Sequence, residues 1–298
     1  MKEQIKIISA PSILGLKPTG VEKLPRSLLD AGLLEKINSA ETIIDIPTLN
    51  DEYSSHRDPI TRCLNPVAIR DFSLNLMKEI ESQIHKSTFP LVLGGDCIIL
   101  IGIMAGLKTK GSYGLIFLDG HADFYLPKES RTGEVADMDL AIVTGRGPDI
   151  LTDIGNLKPY VEDKNVLHIG QRDAEETKVY GSQDMKKTGI KSFDFAQIES
   201  DGLEKILDEI IKHIDNTNLD GFWIHFDTDV ISDEENPAVD YRLPGGFTIN
   251  QMGYILNELV HTGKIKGMDV TIFNPTFDKD GKIAVKITDC LAHAFGSK

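Results

Sequence analysis

The stretch Leu115-Ile116-Phe117-Leu118-Asp119-Gly120-His121-Ala122-Asp123 constrains this chain more than any other. An apolar run ends in three residues of metal-ligand type, each two positions from the next. In extended backbone such positions face the same way, so Asp119, His121 and Asp123 can converge just beyond the end of a buried strand. A second stretch, Phe222-Trp223-Ile224-His225-Phe226-Asp227-Thr228-Asp229, repeats the device. Two strand ends meeting at one sheet edge would gather four carboxylates and one or two imidazoles. Carboxylates at that density cannot all stay ionised without cations, and a pair of divalent metals is the simplest remedy.

Around these stretches, apolar runs of strand length alternate with helical patterns. Strands are expected at 5–10, 42–47, 89–93, 113–118, 166–170, 191–195, 221–226 and 265–272. Helices are expected at 20–37, 66–85, 98–107, 148–157, 173–187, 203–214 and 251–261, the last capped by Asn250. A short helix is expected within 133–144, and a final one after the turn Asp278-Lys279-Asp280-Gly281. Eight strands alternating with helices imply an α/β protein with a mostly parallel sheet covered on both faces. With no linker, repeat or composition shift, residues 1–298 read as one domain. In such sheets ligands gather beyond the carboxyl ends of the strands, where both acidic stretches fall, as do Gly94–Cys97 and Gly170–Asp173.

The 41% hydrophobic content of the 298 residues supports a sizeable core. No stretch approaches the ~20 continuous apolar residues of a membrane span, and the start lacks a signal-peptide apolar core. A formal charge of −14 argues against nucleic acid or anionic lipid as partners. Cys63, Cys97 and Cys290, without CxxC spacing, suggest reduced thiols in a cytoplasm.

Asp119, Asp123, Asp227, Asp229 and His121 make a hard, oxygen-rich donor set suited to Mn²⁺, Mg²⁺ or Fe²⁺. Two such ions ~3.5 Å apart can share a bridging water and lower its pKa towards neutrality. That hydroxide would attack an sp² carbon bearing a nitrogen or oxygen leaving group, with a neighbouring carboxylate passing on the proton. Taken singly, an Asp at a strand end is ordinarily a cap or turn residue, and Cys97 ordinarily packing. The joint DxHxD and DxD pattern favours metal. His225 lies one step deeper on the strand and reads as a support or core residue, Trp223 as core, and Cys63 and Cys290 as inert.

The chain resembles the ureohydrolases, the arginase and agmatinase family, nearly end to end. Ile8-Ser9-Ala10-Pro11, Gly20-Val21-Glu22-Lys23 and Asp30-Ala31-Gly32-Leu33 look like an arginase N-terminus. Gly94-Gly95-Asp96-Cys97 is similar to the family's GGDH signature, Asp119–Asp123 to DAHxD, Phe226–Asp229 to FDxD, and Asn274-Pro275 to the closing xNP. The resemblance implies a three-layer α/β/α fold, two Mn²⁺ ions, hydrolysis of a guanidino group to urea and an amine, and a trimeric or hexameric assembly. Carried over by position, Asp119 and Asp227 bridge the metals, Cys97 and Asp123 complete one site, and His121 and Asp229 the other. Asp123 would also hold the hydroxide, and Glu175 would meet the substrate's α-amino group.

Three departures modify this. Cys97 replaces the GGDH histidine, and a softer thiolate favours Fe, Co, Ni or Zn over Mn. Ile272 stands where the family holds the guanidinium with a glutamate. Ala136 stands at the loop histidine that shuttles protons, flanked by Glu134 and Asp137 as substitutes. The reading is therefore a metallohydrolase of a small guanidino or amidino compound, an N-hydroxylated arginine among the candidates. The rivals are a protein that kept the fold and lost turnover, and a hydrolase of an uncharged, amide-like substrate.

Overall fold

Among the described residues every strand pairs in parallel with its neighbours, each joined to the next by a crossover that returns over the sheet. The structure, a computed structural model, describes residues 4–39, 42–84 and 87–296. The strands are β1 (Gln4–Ala10), β2 (Ile44–Asp45), β3 (Thr88–Gly94), β4 (Tyr113–Leu118), β5 (Val166–Ile169), β6 (Lys191–Phe193), β7 (Gly221–Asp227) and β8 (Ile265–Thr271). They form one sheet in the order β2-β1-β3-β8-β7-β4-β5-β6. The expected α/β fold is borne out, with a sheet wholly rather than mostly parallel.

The helices are α1 (Leu24–Asp30), α2 (Leu33–Lys36), α3 (Pro66–Gln83), α4 (Ile99–Lys108), α5 (Asp139–Val143), α6 (Asp149–Thr152), α7 (Ala174–Tyr180), α8 (Phe195–Asp201), α9 (Leu203–Asp215), α10 (Ile249–Val260) and α11 (Lys282–Ala294). Period-2 alternation sorts the strand side chains between two layers. Ile116, Leu118, Ile224, Phe226, Met268 and Val270 meet α1, α2 and α8–α11 on one face. Leu115, Phe117 and Trp223 meet α3–α6 on the other. The same alternation sends His225, Asp227, Asp269 and Thr271 to that second face.

Several expected elements are shorter than their apolar pattern. The helix expected at 20–37 is broken by Gly32, whose φ of 85° belongs to the left-handed region. The strand expected at 42–47 pairs only through Ile44 and Asp45, with one further bond from Ile46 N to Ser9 O before Pro47. Gly155 at φ 71° splits 148–157, and Gly181 at φ 81° stops α7 seven residues short of Lys187. The cap of α10 is Thr248, not Asn250: its hydroxyl accepts from Gln251 N, and the Gln251 side chain accepts in return from Thr248 N. The end expected for α3 at His85 lies outside the described residues. Helix α8 was not expected; it starts where Asp194 accepts from Gln197 N.

Candidate metal centre

Strands β4 and β7 lie side by side with Leu118 opposite Phe226, so Asp119 and Asp227 leave the sheet as neighbours. Their ligand atoms lie within 4.8 Å of each other and of His225, and those of Asp119, His121 and Asp229 form a second such set. A third set joins Cys97, which follows β3, with His225 and Asp139 at the start of α5. The expected convergence of Asp119, His121, Asp227, Asp229 and Cys97 is thus what the fold produces. Asp123 joins none of the three sets among the described residues; it lines the cavity above them at a left-handed φ of 43°.

Backbone and side chains brace the cluster. Asp227 accepts from Asp229 N through Oδ1 (2.8 Å) and from the Cys97 thiol through Oδ2 (3.0 Å). Asp119 Oδ1 accepts from His121 N at 2.6 Å, whereas its Oδ2 is buried with no partner. His121 Nδ1 lies 2.9 Å from Asp229 Oδ2. Arg172 holds the Asp229 loop by donating from its guanidinium to the Val230 carbonyl, and its backbone N–H donates to the Gly120 carbonyl. An added Cβ at Gly120 would stand 2.7 Å from the Arg172 guanidinium.

Burial and mutual repulsion dominate the electrostatics. Burial first, then neighbouring carboxylates, raise the Asp119 and Asp123 carboxyls far above the ordinary range; burial does the same for Asp139 and Asp227. The Cys97 thiol is raised likewise by burial and by Asp227. Burial works against charge on His121, but Asp229 beside it overcomes this and lifts the imidazole to about 9. Asp229 is correspondingly held low: burial opposes its charge, and His121 restores it. Buried carboxyls that ionise only at a cost, and an acceptor oxygen aimed at nothing, fit a site for cations.

Above the cluster opens a cavity of about 410 Å³. Its apolar wall includes Leu16, Ala136 and Ile272, the last held at φ 70° with its N–H donating to Gly95 O. Its acidic wall includes Glu129, Glu134, Asp137, Asp173, Glu176 and Asp240. Glu134 accepts from the Tyr241 hydroxyl at 2.7 Å and lies 3.4 Å from Lys17 Nζ. Asp137 receives the hydroxyls of Ser130 and Thr132 on Oδ2, while its Oδ1 is buried without a partner. Burial pushes its carboxyl up to about 7 against the pull of those hydroxyls. Glu175, expected to meet substrate, does not line the cavity; in the first turn of α7 that position falls to Glu176. Sequence reasoning missed Asp139 and Asp269, whose one signal was a carboxylate within an apolar run.

The sequence model of the arginase family matches residues 3–296. The chain belongs to the arginase family. It is 29% identical to an arginase of Staphylococcus aureus (strain COL), covering 98% of this chain and 97% of that protein. It superposes on the native structure of Bacillus caldovelox arginase with a TM-score of 0.88 at 27% identity, covering 99% of each chain. Formimidoylglutamase of Bacillus subtilis, at 18% identity and a TM-score of 0.73, shares the fold. The protein is accordingly a hydrolase of the ureohydrolase type, and the expected family is borne out. No helix among the described residues is long and apolar enough to cross a membrane.

Proposed function

We propose that this arginase-family chain is a binuclear-metal hydrolase cleaving a C–N bond of a small guanidino or amidino compound. The observation that carries it is the unpartnered, buried Asp119 Oδ2 among Asp227, Asp229, Cys97 and His121, directly beneath a cavity. Asp119 and Asp227 would be shared by two cations, with Cys97 and Asp123 on the inner one and His121 and Asp229 on the outer. Mn²⁺ is the leading candidate, with Fe, Co, Ni or Zn admitted by Cys97. When bound, such ions supply Lewis acidity and a water acidified towards neutral pH.

The chain's own residues supply the rest. Asp123 faces the cavity and is placed to hold the hydrogen of the attacking water. Asp137, with a free Oδ1 and a carboxyl near 7, is placed to give a proton to the departing amine. Glu134, committed to Tyr241 and Lys17, acts as fixed negative charge on the wall. The acidic rim suits a cationic tail, which Glu176 and Asp173 can meet. The apolar wall of Ile272, Ala136 and Leu16 suits a weakly basic reacting end, and an N-hydroxyguanidine fits because its electron-withdrawing hydroxyl lowers basicity. The same wall favours a second reading, an uncharged amide-like substrate.

The test is a screen of guanidines, N-hydroxyguanidines, amidines and amides with protein loaded with Mn, Fe, Co, Ni or Zn. Cleavage of an N-hydroxyguanidine in preference to arginine is the expected result. Amide cleavage alone would select the second reading, and a loaded protein that leaves every compound intact would sink both.

A further inference from the structure

His225 is a fully buried imidazole whose two nitrogens have unequal fates. Nδ1 lies 2.6 Å from Asp269 Oδ2 and donates to it. The other oxygen of Asp269 accepts from Trp223 Nε1, also at 2.6 Å, which fixes the carboxylate. Phe117 stacks on the ring at 4.6 Å between centroids and blocks its rotation. Nε2 therefore presents a lone pair in a fixed direction, and it has no hydrogen-bond partner. Asp139 Oδ2, 3.9 Å from Nε2, is also buried and unpartnered. A ligand atom of His225 belongs both to the set with Asp119 and Asp227 and to the set with Cys97 and Asp139. A carboxylate gripping one imidazole nitrogen while the other faces anionic donors is the arrangement that orients histidine ligands to metals.

We propose that His225 is itself a metal ligand, its Nε2 joining Cys97, Asp119, Asp123 and Asp227 around the inner cation, with Asp139 beside it. This restores an imidazole to a site whose donor after β3 is a thiol, and it turns a residue that looks like core into part of the centre. The inference rests on the two-metal reading above. It goes further in naming a donor from inside a strand rather than from beyond its end.

The decisive measurement is made on the full-length protein loaded with Mn²⁺, by pulsed electron paramagnetic resonance with and without ¹⁵N-histidine, beside anomalous diffraction at the manganese edge. The expected result is two distinct imidazole nitrogens coupled to manganese, one lost in His121→Ala and the other in His225→Gln. Mn²⁺ content should fall from about two to about one per chain in His225→Gln. Asp269→Asn, milder for the fold, should weaken one Mn²⁺ site on the order of 10–100-fold and leave the other unchanged. A single imidazole coupling that survives His225→Gln, or an inner manganese with Nε2 beyond hydrogen-bond distance, overturns the inference while the metallohydrolase reading stands. Failure of the wild-type protein to bind Mn²⁺, Fe²⁺, Co²⁺, Ni²⁺ or Zn²⁺ at all overturns both. Because the wild-type spectrum counts imidazoles directly, the result does not depend on the variants folding.

Discussion

At position 272 a β-branched side chain occupies a left-handed backbone conformation, φ 70°, packed with Cys97, Ala136 and Leu16. Such a conformation is costly for isoleucine and persists where the surroundings impose it. Ile272→Glu would place a carboxylate at the same point of the cavity. It should raise kcat/KM for arginine relative to an N-hydroxyguanidine about tenfold or more, read in a competition assay. Asp227→Asn removes a charge that the proposed reading places between the two cations, and kcat should fall at least ~10³-fold with circular dichroism unchanged. For Asp137, activity that needs its protonated form should decline as pH rises through about 7. Asp137→Asn should erase that limb of the pH profile and lower the plateau on the order of 10²-fold. The ligand types were legible in the sequence because DxHxD and FDxD fix spacing and direction together. Asp139 and the free nitrogen of His225 were not, because the approach of Asp139 at the start of α5 to His225 is a long-range contact that no local spacing encodes.

Among elements, the strands announced themselves and the helices did so only in part. Continuous apolar runs with both faces buried leave little latitude, so β3, β4, β7 and β8 fall within a residue or two of expectation. Helix ends instead depend on single residues. Gly32, Gly155 and Gly181 each take positive φ and stop a pattern whose apolar spacing runs on past them. In α10 the reciprocal bonds between Thr248 and Gln251 fix the first turn, and Thr248→Ala should cost about 1 kcal/mol in urea unfolding. Trp223 couples β7 to β8 through Asp269. Trp223→Phe would strand one buried carboxylate oxygen, and about 1–3 kcal/mol of stability should go with it.

Across the whole molecule, buried acids set the response to pH and to chelation. The carboxyls of Asp119, Asp123, Asp139 and Asp227 are raised in the folded state above their ordinary value of 3.8. Between that value and their raised ones the folded chain holds more protons than the unfolded chain, so metal-free stability falls as pH climbs. In the two-metal reading, bound cations would replace those protons. The melting temperature of chelated protein should therefore drop as pH climbs above the ordinary carboxylate value of 3.8 towards the raised ones, while metal-loaded protein stays nearly level. The sheet order adds a constraint on timing. Strands β7 and β8, made late in synthesis, wedge between β3 and β4, made early. The pocket's donors therefore cannot assemble while the ribosome is still adding the first two-thirds of the chain. A nascent polypeptide stalled before Gly221 should capture no ion at the inner position, and ion uptake should coincide with the docking of the last strands rather than precede it.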